Sequence, residues 1–442
     1  MFKRLNIVVS IMVASILLAI PVIAEDFDWG QFEGTTIVAN FPSHFHYNAA
    51  MKVIPEFEKL TGIKVEVDML QYVKMHEKQV LEMSKPEGDY DVISLVCMWK
   101  TEYAVGDMLL QLEPFFEDPA LAVPDYDFDD LVKAYVDNTG RVGGDKIYMG
   151  GPGSKLYAVP FGAETSILVY RKDLFEEHNI KVPDTYDDVR AAAKFFAENV
   201  DGVYGLTMRG ASGHQATHGY LLHADPFGAK VFDADWNPTL TSAESIATLE
   251  FMKEMVQYGP PGIAGFGYDG QCNAFLEGMA AMYIDNNAIA AATRNPEKSK
   301  VVGKVGFALH PQEKTRLSET GGFGIGIPAN AKNPEAAFLF IQWLTMKAQD
   351  KKVVEAGGAP FRMSTLNDPD LQATHPEFAV MLEQLPFADP DWRPIIPQWG
   401  EINQTIGVAV NQVLTGEKEP MEAMEAITEP ITTIVKKAGY LK

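Results

Sequence analysis

The apolar and polar positions of residues 35–97 alternate between the patterns of buried strands and amphipathic helices. Apolar-rich runs at 35–41 and 91–97 predict buried strands, and the alternation over 64–69 predicts a half-buried strand. Between these segments, apolar residues recur at helical spacing over 49–60 and 73–83. The β-α-β-α-β order predicts a largely parallel sheet with helices on its faces.

The segments after the first and third predicted strands, 42–47 and 98–103, are rich in aromatic and polar side chains. In parallel sheets ligands bind beyond the carboxyl ends of the strands, so we expect binding residues in these segments. The candidates are His44, Phe45, His46 and Trp99. A tryptophan packed under the next helix is the alternative for Trp99. The His-x-His pair lacks a third and a fourth ligand, so no metal site is expected.

Another candidate cleft lies in residues 156–175, where two strand-like runs are interrupted at Pro160 and Gly162. Pro and Gly inside a strand indicate a bend, where side chains turn away from a sheet partner. This bend carries Phe161, Glu164 and Thr165. We predict that it contributes to binding; a surface glutamate and a core phenylalanine are the alternatives.

The N-terminus predicts export. Lys3 and Arg4 precede an apolar run at 7–23, and small residues occupy the two positions that signal peptidase reads in Val22-Ile23-Ala24, just before Glu25; this is the pattern of a cleavable signal peptide over 1–24. An uncleaved membrane anchor is the alternative. No Cys follows the apolar run, so no lipid anchor is expected and the mature protein should be periplasmic.

Composition narrows the class further. The formal net charge of −23 disfavours nucleic acid and anionic lipid as partners. The length of 442 residues suggests two lobes. Two cysteines exclude a disulfide scaffold and leave either one long-range bridge between Cys97 and Cys272 or two buried free thiols. No cofactor is expected.

Seven short strings in a fixed order resemble the extracellular solute-binding proteins of ABC importers, the group that includes the maltose-binding protein. They are FEKLTGIKV at 57–65, DYDVI at 89–93, LYAVP at 156–160, KDL at 172–174, GMAAM at 278–282, GGFGIGIP at 321–328 and AAFLFIQWL at 336–344. Four others resemble the sorbitol- and mannitol-type polyol binders of that group. These are RG at 209–210, DWNP at 235–238, YGPPG at 258–262 and SKVVGKVG at 299–306.

The resemblance implies an α/β, two-lobed periplasmic-binding-protein type II fold with a hinge and a ligand cleft between the lobes. Lobe one would hold 25–125 plus 312–355, and lobe two 126–311 plus 356–442. It implies a monomeric, non-enzymatic receptor that captures a polyol or small sugar and delivers it to the permease of an ABC transporter.

A polyhydroxylated ligand needs polar partners for its hydroxyls and apolar cover for its C–H faces. Glu164 matches the family's carboxylate on the crossing strand, and Arg209 and Asp285 match polyol-binder positions as a donor and acceptor pair. A structural salt bridge is the alternative for Arg209. The resemblance adds further candidates: His214, where polyol binders tend to carry Trp, together with Phe323, Arg362 and Trp399.

Other functions stay open at this point. A secreted glycoside hydrolase could use Glu164 and Asp285 as its acid and base, although no glycosidase motif is present. A binder of an oligosaccharide is a further alternative. Polyamine sites need several carboxylates among aromatics, and iron sites favour clustered tyrosines; neither pattern is visible.

Overall fold

The computed structural model describes residues 27–144 and 146–441. The predicted signal peptide, 1–24, lies outside the described residues. Within the described ranges, no helix is long and apolar enough to cross a membrane.

The strands are β1 (Thr36–Pro42), β2 (Lys64–Leu70), β3 (Val92–Val96), β4 (Arg141–Val142), β5 (Lys155–Leu156), β6 (Val159–Arg171), β7 (Tyr204–Thr207), β8 (Ala280–Asn286), β9 (Val305–Ala308), β10 (Ser318–Gly326) and β11 (Ala388–Asp389).

The helices are α1 (Phe45–Ala50), α2 (Ile54–Thr61), α3 (Tyr72–Met83), α4 (Lys100–Val105), α5 (Glu113–Glu117), α6 (Lys133–Thr139), α7 (Lys172–Glu177), α8 (Tyr186–Asn199), α9 (His214–Phe227), α10 (Ala243–Tyr258), α11 (Tyr268–Leu276), α12 (Ile289–Thr293), α13 (Pro334–Thr345), α14 (Lys347–Glu355), α15 (Met363–Leu366), α16 (Pro369–Thr374), α17 (Glu377–Gln384), α18 (Trp399–Leu414) and α19 (Pro420–Lys437).

The predicted parallel sheet is confirmed at the N-terminus. β1 pairs in parallel with β2 on one side and with β3 on the other. The predicted helix over 49–60 is instead two helices, α1 and α2. The second begins with Pro55 in its first turn, a position that proline tolerates because the N–H groups there have no partner within the helix.

β6 and β10 join the two halves of the sheet. The strand order is β2-β1-β3-β10-β6-β8-β7, with β11 on β10 and β9 on β6. β10 pairs antiparallel with β3 on one side and with β6 on the other, and β6 pairs antiparallel with β8. Within the described sheet, β10 and β6 therefore connect the N-terminal strands β1–β3 to β8 and β7. The predicted interruption at Pro160 and Gly162 is wrong as a strand break: β6 continues through both residues, and Gly162 takes a left-handed φ of 77° within it.

The helices after β10 pack in two groups. α13 contacts α2 and α14 contacts α1, whereas α18 packs against α9, α10 and α19. The lobe boundaries expected from the sequence stay a prediction.

A buried arginine holds α15 against the chain that precedes α6. Arg362 is fully buried and donates to the carbonyl oxygens of Thr345, Asp127 and Tyr126, and it pairs with Asp130 at 3.2 Å. The side chain of Asp350 accepts the backbone N–H groups of Phe361 and Arg362 at 3.4 and 3.2 Å. Burial raises the pKa of Asp350 to about 7, despite the opposing effects of a hydrogen bond from Thr365 and the charge of Arg362.

This raised pKa predicts that Asp350 destabilises the protein as the pH rises. Between its unfolded pKa of about 4 and its folded pKa of about 7, the folded state binds more protons than the unfolded state, so stability falls with rising pH. We expect Asp350→Asn to reduce the loss of unfolding free energy between pH 5 and pH 8, as measured by urea denaturation at each pH. The exposed Asp370→Asn should leave that loss unchanged; equal losses in all three proteins would contradict the assignment.

Candidate functional site

A cavity lies where the N-terminal strands face β6, β8 and β10. Five of the residues expected from the sequence line it: His44, Glu164, Arg209, His214 and Phe323. Ten further residues complete the lining: Tyr72, Val96, Cys97, His218, Tyr268, Asn286, Glu319, Gly321, Gly322 and Arg393. Eight of the fifteen lie at or just after the end of β1, β2, β3, β7 or β8 or at the start of a helix, as expected for an open α/β sheet, and five lie in β6 and β10.

Two glycines of β10 form the floor of the cavity. Gly321 lies opposite Glu164 of β6 in the ladder, and the register shifts between Gly322 and Gly324. Gly322 has a φ of 81°, and a Cβ atom there would lie 2.3 Å from the carbonyl oxygen of Gly162. Only glycine fits this close approach of β10 to β6, and the missing side chains leave space above the sheet.

His44 and Glu164 meet across the cavity from β1 and β6. His44 caps α1, and its Nδ1 accepts the backbone N–H of His46 at 3.4 Å. Its Nε2 therefore carries the ring proton and lies 3.1 Å from Glu164 Oε1, both side chains being 8% exposed. The two atoms are not oriented for a hydrogen bond, and Glu164 Oε1 has no hydrogen-bond partner among the described residues.

Arg209 and Asp285 form a buried two-pronged ion pair. Arg209 Nε and Nη2 donate to Asp285 Oδ2 and Oδ1 at 2.7 and 2.6 Å, and the guanidinium carbon lies 4.7 Å from the ring centre of Tyr268. Burial alone would raise the pKa of Asp285, but the charge of Arg209 holds it below its ordinary value. Burial likewise opposes the charge of Arg209, yet Asp285 raises the pKa of Arg209 well above its ordinary value. The pair stays ionised, and its charges cancel.

Arg393, His218 and Glu319 form a second polar group in the cavity. Arg393 Nη2 donates to His218 Nδ1 at 3.0 Å, which leaves the ring proton on His218 Nε2. That nitrogen lies 3.3 Å from Glu319 Oε2. The preceding Trp392 donates its indole N–H to the carbonyl oxygen of Thr320 at 2.6 Å, which fastens Arg393 against β10.

The same region brings three possible metal ligands together, namely His218, Asp285 and Glu319. A metal ion would need the lone pair of His218 Nε2, but Arg393 occupies Nδ1 and so places the proton on Nε2. Arg209 also binds both carboxylate oxygens of Asp285. The geometry therefore favours a hydrogen-bonded group over a metal site.

Four buried polar atoms of the cavity lining have no hydrogen-bond partner among the described residues. They are Glu164 Oε1, Glu319 Oε2, His218 Nε2 and Arg393 Nε. His218 Nε2 lies 3.3 Å from Glu319 Oε2 and 3.6 Å from Asp285 Oδ1, but neither contact is oriented as a hydrogen bond. Leaving such atoms unpaired costs about 1–3 kcal/mol each, and more for charged groups. Two acceptors and two donors thus line one cavity, and a ligand whose groups both donate and accept can satisfy all four.

Aromatic rings cover the other walls. The rings of His44 and Tyr268 are nearly parallel, with centres 6.1 Å apart, and Phe323 lies 5.2 Å from His44. Tyr72 reaches across the cleft and accepts a hydrogen bond from Gln215. His214, at the start of α9, lies edge-on to Tyr72; burial, followed by the charge of Arg393, lowers the pKa of His214 well below its ordinary value. The histidine in place of the expected Trp is therefore neutral.

The other expected residues lie outside the cavity lining. Asp285 is one layer behind it, and Thr165 donates to the backbone carbonyl of Glu319. Trp99 packs on His76 and Tyr103, as the alternative for it described. The remaining five are packed elsewhere. His46 and Phe161 pack against each other, Phe45 lies beneath Lys298, and Trp399 lies in the core at the start of α18. Arg362 holds α15 against the segment before α6, as described above.

Some lining residues that were missed had readable signals. Tyr72 follows β2 as His44 follows β1, and His218 lies one helical turn after His214 on α9. Cys97 directly follows β3; both cysteines are buried and free. Arg393 had no such signal, because it lies in an irregular segment between β11 and α18.

The fold is that of a two-lobed, type II solute-binding protein. The chain belongs to the family of bacterial extracellular solute-binding proteins, whose sequence profile matches residues 46–351. This is a family of substrate-binding proteins of transport systems and not of enzymes.

Among its relatives is the mannitol-binding protein of Pseudomonas aeruginosa, 28% identical over 97% of this chain and 98% of that protein. The erythritol/L-threitol-binding protein of Mycolicibacterium smegmatis is 25% identical over 77% of this chain and 73% of that one. A solute-binding protein of Agrobacterium radiobacter in complex with ribitol superposes with a TM-score of 0.83, at 27% identity, covering 91% and 99% of the two chains. One of Agrobacterium vitis with bound D-mannitol gives a TM-score of 0.81, at 28% identity, covering 92% and 100%.

The buried ion pair predicts an asymmetry between single and double substitutions. Asp285→Asn leaves the Arg209 guanidinium buried without its counter-charge, so we expect a loss of about 3–5 kcal/mol in unfolding free energy. Replacing both residues, by Arg209→Met with Asp285→Leu, should cost less than Asp285→Asn alone, because no charge is left unpaired.

Chemical denaturation of the three proteins measures the difference. Lys64→Met, which breaks a pair with Glu66 whose side chains are 64% and 53% exposed, serves as the control and should leave stability nearly unchanged. A double variant less stable than the single one would contradict this account of the pair.

Proposed function

We propose that this protein is the exported receptor of an ABC importer and captures a small polyol in the cavity between its lobes. It performs no chemistry on the ligand. Binding shifts an equilibrium between open and closed forms, and the membrane permease recognises the closed form.

The observation that carries the proposal is the set of four unpaired buried atoms around one cavity, two acceptors and two donors. A polyol hydroxyl both donates and accepts, so a chain of hydroxyls can pair with carboxylate, imidazole and guanidinium in one pose. Tyr72, Tyr268 and Phe323 supply apolar cover for the C–H groups. The relatives named for mannitol and for erythritol or threitol, and the structures holding ribitol and D-mannitol, support the same ligand class.

The competing functions fit the cavity less well. An oligosaccharide needs a long open groove, whereas this cavity is small and bounded by aromatic rings on several sides. The hydrolase considered from the sequence would use Asp285 and Glu164 as its acid and base, but both Asp285 oxygens are bound by Arg209 behind the cavity wall.

β6 and β10 would act as the hinge, because they alone connect the two halves of the described sheet. The approach of His44 to Glu164 and the hydrogen bond from Gln215 to Tyr72 both cross the cleft, so they would help to hold the closed form. We further propose that the mature chain is a periplasmic monomer released by cleavage after residue 24 and not lipid-anchored.

Titration calorimetry of the mature chain tests the function. We expect heat of binding with at least one of D-mannitol, ribitol and erythritol, and much weaker binding of maltose. Glu164→Gln should weaken polyol binding about 10- to 100-fold, because a hydrogen bond to a charged group is worth about 1.5–3 kcal/mol. The control is Glu297→Gln, which removes the same charge at an exposed position.

Binding of maltose with no response to any polyol would contradict the proposed ligand class. An equal loss of affinity in Glu164→Gln and Glu297→Gln would show that Glu164 acts through net charge and not at the ligand. Turnover of a glycoside by the purified protein would contradict the receptor function itself.

A further inference from the structure

Among the residues that line the cavity, more carboxylates than cationic groups are left without a counter-charge. Of its two arginines, Arg209 is neutralised by Asp285 through both of its hydrogen bonds. Among the lining residues, this leaves the carboxylates of Glu164 and Glu319 against the single guanidinium of Arg393. His218 keeps one nitrogen unprotonated to accept from Arg393, so it adds no charge.

The two carboxylates stand on the same face of the sheet. Gly321 of β10 is directly opposite Glu164 of β6, and Glu319 lies two residues before Gly321. Because alternate residues of a strand share a face, Glu164 and Glu319 are diagonal neighbours, with Cα atoms about 7–8 Å apart in a regular ladder. Gly321 has no side chain, so a ligand resting on the floor lies between the two carboxylates.

Glu319 would also compete with an anionic ligand for the positive charge of Arg393. Arg393 donates to His218, and the protonated Nε2 of His218 lies 3.3 Å from Glu319 Oε2. Arg393 is thus linked through one neutral imidazole to a carboxylate. An anionic ligand that approached Arg393 would have to do so beside that carboxylate.

We propose that Glu319, together with Glu164, makes this receptor reject acidic derivatives of its polyol ligand, such as aldonates, uronates and sugar phosphates. This inference rests on the proposed function and adds the charge of the ligand to it. A hydroxyl can donate a proton to either carboxylate oxygen, whereas an ionised carboxylate or phosphate has none to donate and is repelled. Glu319, which the sequence did not indicate, is therefore a specificity-determining residue.

The test compares each alditol with the acid made by oxidising one terminal carbon: D-mannitol with D-mannonate, ribitol with ribonate and erythritol with erythronate. In calorimetry at pH 7.5, we expect the acid to bind wild-type protein at least about 30-fold more weakly than the alditol that binds best. That ratio corresponds to one like-charge contact at short range in a partly screened site. An acid that binds within about threefold of its alditol would overturn the inference.

Glu319→Gln keeps the shape of the side chain, removes its charge and leaves Arg393 able to bind an anion. We expect Glu319→Gln to reduce the ratio of the dissociation constants of acid and alditol about tenfold or more, while Glu297→Gln leaves this ratio unchanged. Glu164→Gln should narrow the ratio in the same direction, and it carries the test if thermal melting shows that Glu319→Gln does not fold.

An unchanged ratio in both cavity variants would overturn the role of these carboxylates, even if the wild type rejects acids. If wild-type protein binds none of the three alditols, the proposed function fails and this inference falls with it. If it binds an alditol and the matching acid equally, only the inference fails.

Discussion

The antiparallel pairing of β6 with β10 is the constraint on which the rest of the structure depends. These strands connect the N-terminal part of the sheet to β7 and β8, and they also carry the floor of the cavity. Gly162 and Gly322 both take left-handed φ values; a Cβ atom at Gly322 would meet the backbone of Gly162, and one at Gly162 would meet the rings of Tyr47 and His46. The same ladder places Glu164 and Glu319 on one face. The element that would bend when the lobes move is therefore also the element that would contact the ligand.

Some polar groups around the cavity form hydrogen bonds and ion pairs with each other, whereas others keep polar atoms without a partner. Arg209 and Asp285 satisfy one another, and this fixes a wall without leaving charge for a ligand. Glu164, Glu319, His218 and Arg393 each keep one buried atom unpaired. Other buried polar atoms of the described residues also have no partner, but these four face one space, where a ligand or water can pair with them. Specificity follows from the same atoms, since a ligand with the wrong groups leaves them unpaired.

Much of the fold was predictable from the sequence, because it depends on local patterns. The strands and helices from β1 to β3 follow the spacing of apolar residues, and the rule of strand ends pointed to His44, which lines the cavity. The tryptophan candidates Trp99 and Trp399 are instead packed within the protein, since a large aromatic ring fills a core as readily as it covers a sugar. Arg362 shows the same ambiguity for a cation. Its neighbours Asp127, Asp130 and Thr345 are distant in sequence, so its structural role was not visible. Arg393 and Glu319 are linked through His218, and this link could not be predicted because the three residues are far apart in the sequence.

The most direct test of the central claim is a crystal structure of the mature protein with the alditol that it binds best. The account predicts one ligand between the lobes, with hydroxyl oxygens about 3 Å from Glu164 Oε1, Glu319 Oε2, His218 Nε2 and Arg393 Nε. It also predicts Tyr268 and Phe323 against the carbon chain. A ligand bound elsewhere, or one in this cavity that leaves those four atoms unpaired, would contradict it.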